Sequence, residues 1–268
     1  QQVVNFANFH EIPVTERGAV TNLIGACLPD SGGIVMNFSK MNKIKRINKT
    51  DMTAIVQPGV VVGDLQKAVE EIGLFFPPDP SNLRVSTIGG AIAQSAGGPK
   101  TFKYGTTKDY VLGLKVVLAD GSLMITGSNT IKNATGYPLS QLFVGSEGTL
   151  GIVVEATLKL IPKPETSRVM LAYFDSINDA TVSVNNIIDS KLFPSTIDFM
   201  DNNAINTVEK FYPANLKTDK TAALIIEIEG SKDSVLADGQ NLKEDLLNSK
   251  STGITKSDTK EEYETNWT

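Results

Sequence analysis

The sequence predicts an α+β chain of two domains, and three observations predict it. Short β-prone runs split by turn residues dominate the chain up to Leu160; a Pro-Lys-Pro break follows at Pro162–Pro164; beyond it, strand and helix patterns alternate. A chain of 268 residues with 41% hydrophobic content can bury one large core or two ordinary ones, and usual domain size favours two. The expected division is 1–164 and 165–268.

Val3, Val4, Ala7 and Phe9 fall at roughly helical spacing, so the chain begins in a helix with no capping residue before it. Ile34–Phe38, Ile44–Asn48 and Thr53–Gln57 read as strands. Asp64 stands where it would cap a helix whose Leu65, Ala68, Val69 and Ile72 recur at i, i+3, i+4 and i+7, with Gly73 closing it. Leu112, Leu114, Val116 and Leu118 alternate along a strand, Asp120-Gly121 supplies its turn, and Leu123–Thr126 returns as the hairpin partner. Val154, Ala156, Leu158 and Leu160 alternate with Glu155, Thr157 and Lys159, a strand with one polar face. Ile161–Glu165 reads as a linker, because two prolines break both ladder and helix. The order then becomes strand (Val169–Phe174), helix (Ile177–Ile188), strand (Thr196–Met200), helix, strand (Ala223–Ile228), helix (Ser234–Leu247). That is a ferredoxin-like, βαβ-rich pattern. Glu261–Thr268, with the single tryptophan Trp267, reads as a further helix.

The formal charge of −5 leaves no electrostatic footprint for nucleic acid. With Cys27 alone, no intrachain disulfide or cysteine-built metal site forms, and Cys27 reads as a small buried hydrophobe. His10 is the only histidine and reads as a surface residue, which removes paired-histidine metal sites. No apolar run reaches the roughly 18 residues of a membrane span, and the start lacks a signal pattern, so the default location is cytoplasmic.

Three segments are rich in glycine: Arg17–Cys27, Pro77–Gly98 and the run GSEGTLGIV from Gly145. The last has glycines at every third position and leads into a strand, so it is not the G-x-G-x-x-G turn that opens a Rossmann helix. Three such loops point instead to backbone amides gathered around a long anionic ligand such as a pyrophosphate, with hydroxyls from Thr21, Ser81, Thr87 and Ser95.

The runs STIGGAIAQSAGGPKTFKYGTTKDYVLGLKVVLADG and NATGYPLSQLFVGSEGTLGIVVEATLKLIPKP closely resemble the FAD-linked oxidase family of the vanillyl-alcohol oxidase type. Within it the likeness is to D-lactate dehydrogenases, the glycolate oxidase D subunit and D-2-hydroxyglutarate dehydrogenase. The resemblance implies a two-subdomain FAD-binding fold, with its first strand missing here, followed by a partial ferredoxin-like cap domain for substrate. It implies that Arg17, Gly18, Ala19, Val20, Thr21 and Asn22 form the pyrophosphate loop. Pro78, Asp79, Pro80 and Ser81, with Thr87, Ile88, Gly89, Gly90, Ala93, Gln94, Ser95, Ala96, Gly97 and Gly98, resemble the segments around the pyrophosphate and ribityl chain. Tyr104 and Gly105 resemble the Tyr-Gly pair beside the flavin, and Glu147, Gly148, Gly151, Ile152 and Val153 the adenine and flavin contact region.

The chain also departs from the family. Ala19 and Val20 replace glycines of the pyrophosphate loop, narrowing the approach of backbone to phosphate, and Ala91 stands where many members have asparagine. Thr21 stands where covalently flavinylated relatives have histidine, so FAD is expected without a covalent bond. The family's metal-binding and catalytic histidines lie in a C-terminal part that this chain does not reach. The resemblance therefore leaves the catalytic residue unknown and implies no metal ligand among these residues; any divalent metal would be held outside this chain. The implied activity is oxidation of a small 2-hydroxy acid by hydride transfer to flavin N5. Electrons would pass to an electron-transfer flavoprotein, an iron–sulfur subunit, a quinone or oxygen. The alternatives are a non-catalytic flavin-binding electron-transfer module and an alkyl-dihydroxyacetone-phosphate synthase-like FAD enzyme.

Overall fold

The computed structural model describes residues 1–256; the helix expected over Glu261–Thr268 lies outside them. The chain divides into two compact units: Gln1–Gly98 with Tyr104–Lys163, and Pro99–Lys103 with the chain from Pro164 onward. The five residues 99–103, which the sequence placed in the first domain, thus belong to the second unit.

In the first unit the elements run α1 (Gln2–Phe9), β1 (Val14–Arg17), β2 (Ile34–Asn37), β3 (Ile44–Asn48), β4 (Thr53–Val56), α2 (Val62–Glu70), β5 (Leu74–Phe75) and α3 (Ile88–Gln94). After the short helix α4 (Thr101–Tyr104), whose first three residues belong to the second unit, come β6 (Val111–Val117), β7 (Leu123–Gly127), α5 (Ser140–Phe143), β8 (Ile152–Lys159) and β9 (Ile161–Pro162). An antiparallel sheet of order β3-β4-β8-β6-β7 carries the main core, in which Val56, Leu65, Val69, Ile92, Leu114 and Leu158 pack together. The parallel pair β1-β2 forms a second, smaller layer, packed through Val14 and Met36 against Val4, Val117 and Ile152.

Three local expectations change. Helix α2 starts at Val62, not after Asp64: Val62 N–H donates to the Ser86 carbonyl and Val61 bridges Thr87, so a tertiary bridge fixes the start and Asp64 sits in the first turn. Strand β8 is buried on both faces: Glu155 lies between Lys45 and Lys115, and the Thr157 hydroxyl hydrogen-bonds Asn129 Oδ1. The Glu155 carboxyl meets a desolvation cost that pushes its pKa up, but hydrogen bonds and charge from the two lysines outweigh this and hold it below the usual range. Ile161 and Pro162 are not linker but pair with Phe75 and Leu74. Two residues at a ladder's end tolerate a proline.

In the second unit, β10 (Thr166–Phe174), α6 (Ile177–Asp189), β11 (Thr196–Asp201), α7 (Asn202–Phe211), β12 (Ala222–Gly230), α8 (Lys232–Asn248) and β13 (Gly253–Lys256) form one antiparallel sheet of order β11-β12-β10-β13. This is the strand order of a ferredoxin-like split βαβ unit, with α7 inserted before β12. Helix α6 buries Ala180, Ser183 and Ile187, and α8 buries Val235, Leu242 and Leu246, all toward the Met170, Ala172 and Leu224 face. Each of the three helices begins on a side-chain cap, from Ser176, Asp201 and Ser231.

Segment 99–103 is tied to β12 by charge. Lys100 Nζ lies 2.9 Å from Glu227 Oε2 and 3.1 Å from Glu229 Oε2, and Lys103 Nζ lies 3.7 Å from Glu229 Oε1. Phe102 packs on Phe193 with ring centroids 5.6 Å apart. Glu227 is fully buried. Burial alone would lower the Lys100 pKa, but the charges and hydrogen bonds of the two carboxylates outweigh it and raise it.

Candidate functional site

The first unit contains a cleft of about 370 Å³, within the range of ligand-binding pockets. Its walls come from the loop after β1, the approach to α3, α3 itself and the turn between α5 and β8. These are the three glycine-rich segments, brought together. Of the residues expected there, Arg17, Gly18, Ala19, Val20, Thr21, Asn22, Pro80, Thr87, Gly89, Gly90, Ala93, Gln94, Ala96, Glu147, Gly148, Gly151, Ile152 and Val153 line the cleft.

Nine do not. Ile88 turns into the core. Pro78 is buried behind α2, where its carbonyl accepts from Gln66 Nε2. Asp79 and Gly98 pack on each other: a Cβ at Gly98 would fall 1.9 Å from the Asp79 carbonyl oxygen. Ser95 is the left-handed C-cap of α3, with its hydroxyl on Thr106. Ser81 and Gly97 are exposed away from the lining. Tyr104 packs edge-on to Phe75 with centroids 5.9 Å apart, and Gly105, at φ +79°, leaves room for the Asp109 carboxylate. His10 is exposed and meets Phe6 at a tilt and Phe9 edge-on, outside the cleft.

Several of the cleft's glycines are required by the protein's own packing. A Cβ at Gly18 would meet Thr87 Oγ1 at 2.6 Å, one at Gly89 would meet Pro58 Cβ at 2.7 Å, and one at Gly148 would meet Glu16 Oε2 at 2.5 Å. They let the cleft's walls approach one another. The start of α3 is already satisfied internally: Ile88, Gly89 and Gly90 amides donate to the Val60 carbonyl, the Pro58 carbonyl and Thr87 Oγ1. The turn before β8 is likewise clipped to α3, through Gly145 on Ile92 and Glu147 on Ala93, and the Gly151 amide reaches Gly148.

The loop after β1 is the contrast. Among the described residues, the seven consecutive amides from Gly18 to Ile24 make no hydrogen bond to protein, while the loop lines the cleft. Ala19, Val20, Leu23 and Ile24 are exposed, so solvent satisfies amides of this loop; a row of donors that the fold leaves uncommitted suits a pyrophosphate, which takes several N–H donors along its length. The donor set fits a dinucleotide, with Arg17 the one cation on the lining. Thr21 adds a hydroxyl 3.4 Å from Ser86 Oγ, which in turn hydrogen-bonds Asn82.

Sequence reasoning missed several lining residues, among them Glu16, Phe38, Pro58, Asn82, Ser86 and Phe143; Cys27 lines the cleft as well as being buried. Asn82 and Ser86 stood within the glycine-rich Pro77–Gly98 segment and were legible as polar neighbours of Thr87. Glu16 gave no signal: nothing in the sequence sets apart this one acidic residue before Arg17.

Val20 carries strain. It adopts φ +60°, the left-handed region, whereas Ala19 does not. A β-branched residue there costs about 1–2 kcal/mol, against roughly 0.5–1 kcal/mol of extra chain entropy for glycine. We expect Val20→Gly to raise thermal stability slightly and to tighten flavin binding a few-fold, and Ala19→Gly to do neither. Melting curves and flavin fluorescence titration check this; weaker binding by Val20→Gly would show that the strained turn is what shapes the loop.

The FAD binding domain model matches residues 1–127, and the FAD linked oxidases C-terminal domain model matches residues 163–268. The glycolate oxidase subunit GlcD of Bacillus subtilis (strain 168) is 44% identical over 242 residues, 90% of this chain and 52% of that protein. A D-lactate dehydrogenase of Anaerostipes hadrus is 37% identical over 88% of this chain and 51% of its own length. The D-2-hydroxyglutarate dehydrogenase of Stutzerimonas stutzeri (strain A1501) is 38% identical over 86% and 50%. The chain thus spans about half the length of the curated relatives it matches. Among solved structures, an alkyldihydroxyacetonephosphate synthase superposes with TM-score 0.84 over 99% of this chain and 55% of that one, at 24% identity, a likeness of fold.

Proposed function

Because the chain belongs to the FAD-linked oxidases, we propose that it binds FAD along the cleft of the first unit and serves the oxidation of a small 2-hydroxy acid to its 2-oxo acid. The observation that carries the cofactor's place is the row of free amides from Gly18 to Ile24. Gln1–Gly98 with Tyr104–Lys163 then act as the FAD-binding domain, and Pro99–Lys103 with the chain from Pro164 onward as the substrate domain.

FAD, when bound, supplies the acceptor for the hydride that leaves the hydroxyl-bearing carbon. The chain's own residues bind and orient. The amides of Gly18–Ile24 and the Arg17 guanidinium hold the pyrophosphate, Thr21 and Thr87 offer hydroxyls beside it, and Phe38, Ile152 and Val153 line the cleft with apolar side chains that exclude water. The substrate class is supported by the relatives' names: glycolate, D-lactate and D-2-hydroxyglutarate each carry a hydroxyl on the carbon next to a carboxylate. Such a substrate needs a base for its hydroxyl proton, typically worth 10²- to 10⁴-fold. Among the described residues no group of three metal-ligating side chains occurs, and no helix is long and apolar enough to cross a membrane.

The test is anaerobic addition of glycolate, D-lactate and D-2-hydroxyglutarate to the yellow, full-length protein. Bleaching of the flavin band by at least one of them is expected; a flavin that stays oxidised with all three would remove the substrate class while leaving the cofactor. Denaturation and filtration should release the flavin into the filtrate, since Thr21 offers no imidazole for a covalent link. Yellow colour retained on the polypeptide would refute that.

A further inference from the structure

The proposed FAD cleft contains an acid with no salt-bridge partner among the described residues. Glu16, the penultimate residue of β1, lines the cleft immediately before the free amides, and among the described residues its carboxyl makes no salt bridge and no hydrogen bond to another side chain. It is pressed against the left-handed Glu147-Gly148 turn, where a Cβ at Gly148 would stand 2.5 Å from Oε2. Among the described residues, few other titratable or charged groups line the cleft. Arg17 comes from its own strand, Cys27 from the loop that follows, and Glu147 from the turn before β8; α3, the segment from Pro80 to Thr87, and β8 present none to the lining, and the β2 partner of Glu16 is Met36. Among the described residues the lining thus carries one cation and two carboxyl groups, in a cleft proposed to accept a dianion.

Resting on the cleft as the FAD site, we propose that Glu16 couples flavin binding to a proton: charged in the flavin-free protein near neutral pH, it takes up one proton from solvent as the pyrophosphate enters. Two observations support this beyond the geometry. Burial already pushes the Glu16 carboxyl up to about 6, partly opposed by a hydrogen bond from its own backbone, so little further change moves it across neutrality. The incoming charge is of like sign and shares the water-poor cleft, which disfavours the carboxylate further. A neutral carboxyl remains a hydrogen-bonding group and no longer repels the phosphates. The sign follows from linkage: the complex binds more protons than the free protein, so FAD affinity is highest below the free carboxyl's pKa and falls as pH rises through the pKa of the complex.

The experiment strips the flavin and titrates it back, following quenching of flavin fluorescence, between about pH 5 and pH 8. Affinity should fall across this range by about tenfold for each unit by which bound flavin raises the Glu16 pKa. Glu16→Gln should flatten the profile and bind FAD more tightly than the native chain at the alkaline end. Calorimetry of the native chain in buffers of different ionisation enthalpy gives a second readout that needs no variant, and should show proton uptake near pH 6.5. A flat native profile, one of opposite sign, or saturable FAD binding with no proton uptake overturns the proposal and leaves the cleft as the FAD site. A slope retained in Glu16→Gln overturns it by placing the proton on another group. No FAD binding at any pH removes the cleft reading and this proposal together.

Discussion

Lys100→Met should lower stability by about 3–5 kcal/mol, the cost of removing the cation shared by two buried carboxylates. Lys100 has 15% of its side chain exposed, and Glu227 and Glu229 have 1% and 4%. Methionine keeps the length and removes the charge. Lys103, 3.7 Å from Glu229 Oε1, is too far from ideal geometry to neutralise both acids. The melting temperature should fall by roughly 10 °C. Pairing the change with Glu227→Gln should recover most of the loss, because the two sites are coupled. The pH dependence has a definite sign: the Lys100 pKa is raised on folding. Its contribution is therefore complete below the usual lysine value and is lost in alkaline solution as pH climbs through the raised one. A loss below about 1 kcal/mol would class the cluster with solvated surface pairs.

Gly98→Val should be nearly as damaging, at about 3 kcal/mol, and should abolish retention of FAD. The obstacle is backbone and not a side chain that can swing away: the new Cβ would stand 1.9 Å from the Asp79 carbonyl oxygen and 2.5 Å from its carbon. To accommodate it, the Pro78–Ser81 strip must move, and Pro80 and Asn82 with it, both on the cleft lining. Equilibrium unfolding of the flavin-free variant measures the first effect and the absorption spectrum of the purified protein the second. Wild-type flavin content in Gly98→Val would show that this strip does not set the cleft's shape.

Much of this fold was legible because periodicity reports directly on faces. The hairpin at Asp120-Gly121 and the helices over 177–188 and 234–247 follow from apolar spacing and turn chemistry alone. Strand β13 was not legible: four residues, Gly253–Lys256, give too short a pattern, and its place is set by pairing with Met170–Tyr173. The same limit explains Asp64, whose helix begins where a distant carbonyl from Ser86 takes the first amide. In the cleft, the glycine-rich segments marked which loops converge, but not which amides remain free. That depends on partners such as Pro58 and Val60, which sequence does not place beside Gly89 and Ile88. Lys100 and Lys103 were legible only as part of a loop, since Glu227 and Glu229 lie more than a hundred positions away.

The excursion of residues 99–103 also bears on how such a protein can be divided or recombined. The polypeptide passes between the two units at 98/99, 103/104 and 163/164, so a single cut at the Pro-Lys-Pro break does not separate them. A fragment beginning at Pro164 would lack the two lysines that neutralise Glu227 and Glu229. A graft of a foreign second domain at that point would meet lysines selected for a different strand. The heritable module is therefore the second domain together with a five-residue insert carried inside the first, and substitutions at 100 and 103 are expected to travel with those at 227 and 229.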